Sequence, residues 1–171
     1  MLYETPQDKR IESPSLRLDA DTLNALRTYI NERRLPDSSA TGTCVCEPAA
    51  ELSAYVANRG LPFSRHLLEC IRKSGSGEIE IYKRAHVDRK LFSKIRSDPD
   101  YQPKKSTVIA FALALRLSVA ETRELLASAG FALSGSASFD LIIRYFVERG
   151  IYDLFLINDA LYEFDQPILM M

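Results

Sequence analysis

A short, strongly basic stretch holds the side chains with the clearest chemical capacity in this chain of 171 residues. Cations and one hydroxyl cluster between positions 89 and 96, and two lysines follow after a turn: Arg89, Lys90, Ser93, Lys94, Arg96, Lys104 and Lys105. Lysine and arginine bind phosphate oxygens, and arginine can also donate two hydrogen bonds to the edge of a guanine. These seven side chains are therefore the candidate DNA-binding residues.

The net charge of −1 hides a strong asymmetry along the chain. Residues 1–60 carry a charge of −2, residues 61–110 a charge of +5, and residues 111–171 a charge of −4. Charge concentrated in this way bears on partners rather than on fold, and it favours a polyanion at one face.

Two short helices joined by a tight turn are predicted to carry the basic residues. The first spans 78–85, His86 and Val87 form the turn, and the carboxylate of Asp88 caps the second helix, Arg89–Ser97. Apolar side chains recur every three or four positions in both helices, so they should face the core. The residues expected on these buried faces are Ile79, Tyr82, Ala85, Leu91, Phe92 and Ile95.

The remaining segments also show helical periodicity, so an all-α fold is predicted. The helices expected outside the basic pair lie at 19–34, 48–58, 63–73, 104–117, 119–129, 139–149 and 153–164. Residues 1–60 are predicted to form an N-terminal arm and two helices with a linker at 35–47. Residues 61–133 form a five-helix domain, and residues 134–171 a C-terminal helical extension that either enlarges the core or forms an interface.

The segment IYKRAHVDRKLFSKIRS, followed by a proline-containing turn and IAFALALRLSVAETRELL, resembles the Cro/phage-repressor (Xre-type) helix-turn-helix domains. Ala85 matches the small residue where the two helices touch, Val87 the buried turn residue, and Ile95 a core residue of the recognition helix. His86 replaces the usual turn glycine and should adopt a positive φ. The resemblance covers about 70 of 171 residues. With its tail, the chain is also similar to a group of small bacterial helix-turn-helix proteins.

This resemblance implies a repressor-like helix-turn-helix domain and a sequence-specific DNA-binding transcriptional regulator, with Arg89–Ser97 in the major groove. The alternative is a protein–protein interaction or adaptor module on the same fold without DNA binding, because the tail and the N-terminal third are acidic and aromatic. A homodimer is expected, since two copies span two half-sites. The candidate interfaces are the tail, with Tyr152, Phe155 and Tyr162, and the helix at 19–34.

Other chemistries are less well supported by the residue pattern. Cys44, Cys46, His66 and Cys70 could form a zinc set, but the C-x-C spacing is unusual and Cys70 lies on an apolar stripe, so no metal is expected. No phosphate-binding glycine loop and no nucleophile with its base is recognisable, so we expect no catalytic residue, no cofactor and no enzyme. The apolar runs are short, no hydrophobic signal segment is present, and the cysteines form no framework. We therefore expect a cytoplasmic protein without a membrane partner.

Overall fold

The computed structural model describes residues 19–33 and 60–169, and all regular secondary structure in these ranges is helical. In chain order the helices are α1 (Ala20–Glu32), α2 (Phe63–Ser74), α3 (Glu78–Arg84), α4 (Arg89–Ser97), α5 (Lys105–Ala114), α6 (Val119–Ser128), α7 (Ser138–Glu148) and α8 (Leu154–Glu163). The predicted all-α class is confirmed for these residues. The predicted linker at 35–47 and helix at 48–58 lie outside them.

Helix α5 forms the centre of the packing. Its sequence is apolar on every side, and each residue from Thr107 to Ala114 is buried. A helix of this kind is stable in water only when other helices surround it. Helices α3 and α6 pack directly against α5, while α2 contacts both α4 and α6. This arrangement fixes α3 and α4 relative to the core.

The C-terminal helices belong to the same core. Helix α7 packs against α1, α6 and α8, and the residues it buries are Asp140, Leu141, Ile142, Ile143, Tyr145, Phe146 and Val147. Of the two roles considered for the extension, enlargement of the core is confirmed for α7. Helix α7 leaves little apolar surface for any other protein.

Helix α1 is held on α7 by a polar cluster beside an apolar contact. Leu26 and Ile30 are buried, and the hydroxyl of Tyr29 donates a hydrogen bond to Oε2 of Glu148 at 2.7 Å. Arg33 donates to Oε1 of the same carboxylate at 3.2 Å. Burial, reinforced by the hydrogen bond to Glu148, raises the pKa of Tyr29 to about 12. The apolar stripe of α1 is therefore used within the chain.

Several helices end with the same left-handed turn. His86 and Arg116 adopt φ values of 52° and 54°, and the residue after each is apolar and buried. The amide of Val87 donates to the carbonyl of Tyr82 at 2.9 Å, which closes the end of α3. Such 6→1 hydrogen bonds satisfy carbonyls at a helix terminus, usually with glycine in the left-handed position. The positive φ predicted for His86 is thus confirmed.

Two residues that were predicted to face the core lie at the surface. Ile79 was expected in the core together with Tyr82 and Ala85. Ala85 is buried as predicted, but Ile79 is 61% exposed, and Ile81 points inward instead. Phe155, which is named above for the candidate tail interface, was also expected on the apolar stripe of α8, but it is 69% exposed. Adjacent helical residues point about 100° apart, so Leu154, which was expected on the same stripe, is buried while Phe155 is not.

Candidate functional site

Helix α4 presents one apolar and one basic face. Phe92 and Ile95 are buried beneath it. The Phe92 ring lies 5.4 Å from the ring of Tyr82 and 6.0 Å from that of Phe111, measured between centroids. This aromatic row fixes the rotation of α4 about its axis. The predicted polar residues of the helix are consequently all exposed: Arg89, Lys90, Ser93, Lys94 and Arg96.

The connection between α3 and α4 is short and rigid. Ala85 and Val87 are buried at the point where the helices meet. The carboxylate of Asp88 accepts a hydrogen bond from the amide of Lys90 at 2.5 Å, so Asp88 caps α4 as predicted. The direction in which the basic face points is therefore set by the core and by this cap together.

Acidic residues of α3 neutralise part of the basic surface. A carboxylate oxygen of Glu78 lies 3.2 Å from the guanidinium of Arg96. Glu80 pairs with Arg84 one turn along α3, and Arg84 also donates to the carbonyl of Ala114 at 3.1 Å. These two arginines are engaged within the protein, so fewer cations remain for an external anion than the sequence suggests.

The cations of α4 that keep their charge available are Arg89, Lys90 and Lys94. None of the three forms an ion pair in the parts of the chain that the structure describes. The ammonium of Lys94 lies 5.2 Å from the ring centroid of Tyr101, which is a cation–π contact and leaves the positive charge intact. These three residues form the free cationic surface of α4.

A shallow cleft between α3 and α4 brings several predicted site residues together. It is lined by Glu78, Ile79, Tyr82, Arg89, Phe92, Ser93 and Arg96. Guanidinium, hydroxyl, carboxylate and aliphatic groups thus lie within one small surface. Such a mixture can contact the donor, acceptor and methyl groups on base edges. The sequence did not identify Ile79 as part of this surface, because its spacing suggested a buried position.

The two lysines at the start of α5 have different surroundings. Lys104 is exposed and contributes no side-chain cap to the helix. Lys105 instead donates from Nζ to Oδ2 of Asp140 at 2.6 Å, and Asp140 is only 1% exposed. The amide of Ser134 donates to the same oxygen at 2.7 Å. Lys105 therefore neutralises a buried carboxylate and connects α5 to α7.

The possible metal ligands do not form a site in the described ranges. No group of three His, Cys, Asp or Glu side chains there is close enough to hold a metal ion, and Cys44 and Cys46 lie outside those ranges. His66 and Cys70 line a small surface depression with Glu121. Burial raises the pKa of the Cys70 thiol, which disfavours the thiolate that a metal would need.

Comparison with known proteins gives no assignment. Neither protein-family models, curated proteins nor solved structures match this chain. Among the helices of residues 19–33 and 60–169, none has the length and hydropathy needed to cross a membrane. The likeness to Xre-type domains accordingly depends on the residue pattern alone, and function has to be inferred from geometry and charge.

The different environments of Lys104 and Lys105 lead to a stability prediction. Lys105→Ala should lower the free energy of unfolding by about 3 kcal/mol, because it leaves the carboxylate of Asp140 buried without its cation. Lys104→Ala, which removes the same charge from an exposed neighbour, should change it by less than about 0.5 kcal/mol. Urea denaturation followed by circular dichroism measures both. Equal midpoints for the two variants would contradict a stabilising role for the Lys105–Asp140 pair.

Proposed function

We propose that this protein is a sequence-specific DNA-binding transcriptional regulator that places α4 in the major groove. The observation that carries the proposal is the arrangement of α4, which buries Phe92 and Ile95 and leaves Arg89, Lys90 and Lys94 exposed without an acidic partner among the described residues. A short helix held by a second one, with its polar face outward, suits insertion into the groove.

The connection between α3 and α4 supports the proposal. Repressor-like helix-turn-helix domains need a small residue between the two helices and an apolar residue in the turn, and Ala85 and Val87 are buried at these positions. The left-handed backbone of His86 lets the chain reverse within a few residues. Helices α2 to α6 would then be the five helices of the domain.

Lys104 and the start of α5 are the proposed contact to the phosphate backbone. The first backbone amides of a helix have no acceptor within the helix and can donate hydrogen bonds to a ligand. The positive end of the helix dipole lies at the same place and favours an anion. Lys104 adds an exposed ammonium at the same place. We assign Lys105 a smaller share in binding than Lys104, because its ammonium is engaged by Asp140.

Glu78 limits the cationic surface in this proposal. Its carboxylate would repel a phosphate, and its ion pair with Arg96 withholds one guanidinium from DNA. A carboxylate near the groove can also accept a hydrogen bond from the amino group of cytosine. Glu78 would thus reduce general affinity while restricting which sequences are bound.

The alternative function, an adaptor module that binds protein and not DNA, is favoured by one observation. Phe155 and Tyr162 on α8 are both largely exposed, at 69% and 79%. Large exposed aromatic side chains are typical of protein interfaces. Titration with DNA separates the two functions, because an adaptor would show no affinity that depends on the free cationic surface of α4.

Alanine substitutions in that cationic surface test the main proposal. Arg89→Ala, Lys90→Ala and Lys94→Ala should each weaken binding to a selected DNA site by about 1–3 kcal/mol for every base that the removed side chain recognises. Lys104→Ala should weaken binding to all sequences alike. It should also reduce the slope of log affinity against log salt concentration by about one. The site is first selected from a random DNA pool, and affinity is then measured by fluorescence anisotropy at two salt concentrations.

The control for these substitutions is Arg123→Ala, which removes an exposed arginine from α6. It should leave affinity for the selected site unchanged. If the three α4 variants keep both their circular dichroism spectrum and full DNA affinity, α4 is not the recognition helix.

Removal of the Glu78 charge should have the opposite effect. Glu78→Gln should tighten binding to random-sequence DNA about several-fold and steepen its salt dependence, because Arg96 becomes available to a phosphate. Glu124→Gln, which removes an exposed carboxylate from α6, is the matched control. Anisotropy titrations with random-sequence duplexes measure both variants. An equal gain in the two variants would show only a change in overall charge.

Two copies of the protein are proposed to act together on DNA. A single α4 contacts only a few base pairs, whereas two copies related by a two-fold axis contact two half-sites about one helical turn apart. Light scattering of the full chain, alone and with the selected duplex, should therefore give a dimer in at least one of the two samples. One copy on each duplex at saturation would contradict this.

A further inference from the structure

Helix α8 carries a surface that the proposed DNA contacts do not use. Leu154, Ile157 and Leu161 face the core, whereas Phe155 and Tyr162 point outward and are 69% and 79% exposed. Seven residues make almost two complete turns, so these two rings lie on the same side of the helix. Asp159 lies between them, four residues after Phe155. These three residues, Phe155, Asp159 and Tyr162, are called the α8 stripe below.

The charged side chains of the C-terminal segment that carries the α8 stripe are all acidic. Residues 150–171 contain no lysine or arginine, and their acidic residues are Asp153, Asp159, Glu163 and Asp165. Asp153 accepts hydrogen bonds from the amides of Phe155 and Leu156 as the cap of α8, and Glu163 lies 3.8 Å from Arg27. Asp159 has no ion pair in the described parts of the chain. Its carboxylate is therefore available between two exposed rings.

The α8 stripe is complementary to a cation that has apolar groups beside it, because it places a carboxylate between two exposed aromatic rings. The faces of aromatic rings attract guanidinium and ammonium groups, and a carboxylate can accept two parallel hydrogen bonds from arginine. Aliphatic side chains beside such cations would cover the remaining ring surface. Nucleic acid does not fit this surface, because its phosphates would be repelled by the carboxylates.

We propose that the α8 stripe docks a cationic amphipathic segment of another protein, in which arginine or lysine alternates with apolar side chains. This inference is independent of the proposed DNA binding, because it uses none of the residues assigned to it. The edge-on contact of the Phe155 ring with His86, at 5.5 Å between centroids, places the docked segment next to the turn between α3 and α4. Such a partner would therefore lie beside the helix pair.

A second copy of this chain fits the α8 stripe less well. Antiparallel pairing of two α8 helices about a two-fold axis would bring the two Asp159 carboxylates towards each other, and this like-charge contact costs free energy. Two aromatic side chains per copy also cover much less than the roughly 800 Å² per partner of a stable interface. The predicted tail interface of a homodimer thus has an unfavourable charge pattern at this helix.

A designed peptide tests the proposal without knowledge of the natural partner. The probe is a fluorescent 18-residue amphipathic helix of leucine, alanine and arginine, and the control peptide has glutamate in place of every arginine. The full chain should bind the arginine peptide and not the glutamate peptide. The double variant Phe155→Ala, Tyr162→Ala should bind the arginine peptide with an affinity lower by about tenfold or more. The reason is that no aromatic ring then remains on the stripe to attract the guanidinium groups.

Asp159→Asn provides a variant that alters a single exposed group and should not disturb folding. It should lower the affinity for the arginine peptide by about three- to tenfold. Asp165→Asn, which removes a nearby charge outside the stripe, should change that affinity by less than about twofold. Asn at position 165 keeps the left-handed backbone that Asp165 adopts, with φ at 52°. The two variants therefore differ mainly in the location of the charge that is removed.

Three results would overturn the proposal. Equal losses in Asp159→Asn and Asp165→Asn would mean that the peptide responds only to net charge. Equal affinity for the glutamate peptide would mean that the contact is apolar without charge recognition. If light scattering shows a wild-type dimer that Phe155→Ala converts to a monomer, the α8 stripe is occupied by a second copy.

Discussion

The packing of Phe92 between Tyr82 and Phe111 is the contact on which the candidate DNA-binding surface depends. The ring of Phe111 belongs to the buried part of helix α5, Thr107–Ala114, so the aromatic row connects α4 to the centre of the core. A helix of nine residues has little stability of its own and takes its orientation from such contacts. If α4 rotated by one residue, the basic side chains would enter the core and the apolar ones would face solvent.

Ion pairs then decide how much of the positive charge is available at that surface. Arg96 and Lys105 were both candidate DNA contacts, yet one is paired with Glu78 and the other with the buried Asp140. The first pair is exposed, so releasing Arg96 to DNA costs about 1 kcal/mol or less. The second involves a carboxylate withdrawn from water, and its cation is retained because the unpaired carboxylate would be strongly unfavourable. Two side chains that look alike in the sequence therefore differ in what they can bind.

The two surfaces considered for partners have opposite charge and share one boundary. The free cationic surface of α4 suits a polyanion, while the α8 stripe suits a cation beside apolar groups. His86 lies between them, since it stands in the turn before α4 and its ring contacts Phe155. The His86 side chain is exposed, and its ring reaches α8. A regulator that meets DNA on one side and a protein on the other would use these surfaces without competition between like charges.

Within residues 19–33 and 60–169, the sequence by itself determined the helices, the turn and the cap, because these depend on local periodicity and on residues such as Asp88 that act within a few positions. It also placed Phe92, Ile95 and Val87 in the core. Only the tertiary structure decided that Ile79 and Phe155 face outward, since a short helix has two nearly equivalent apolar faces and its neighbours choose between them. Likewise, nothing local links Lys105 to Asp140, which lies 35 residues later and meets it only after α7 packs. Contacts distant in the chain thus settle which charges remain free.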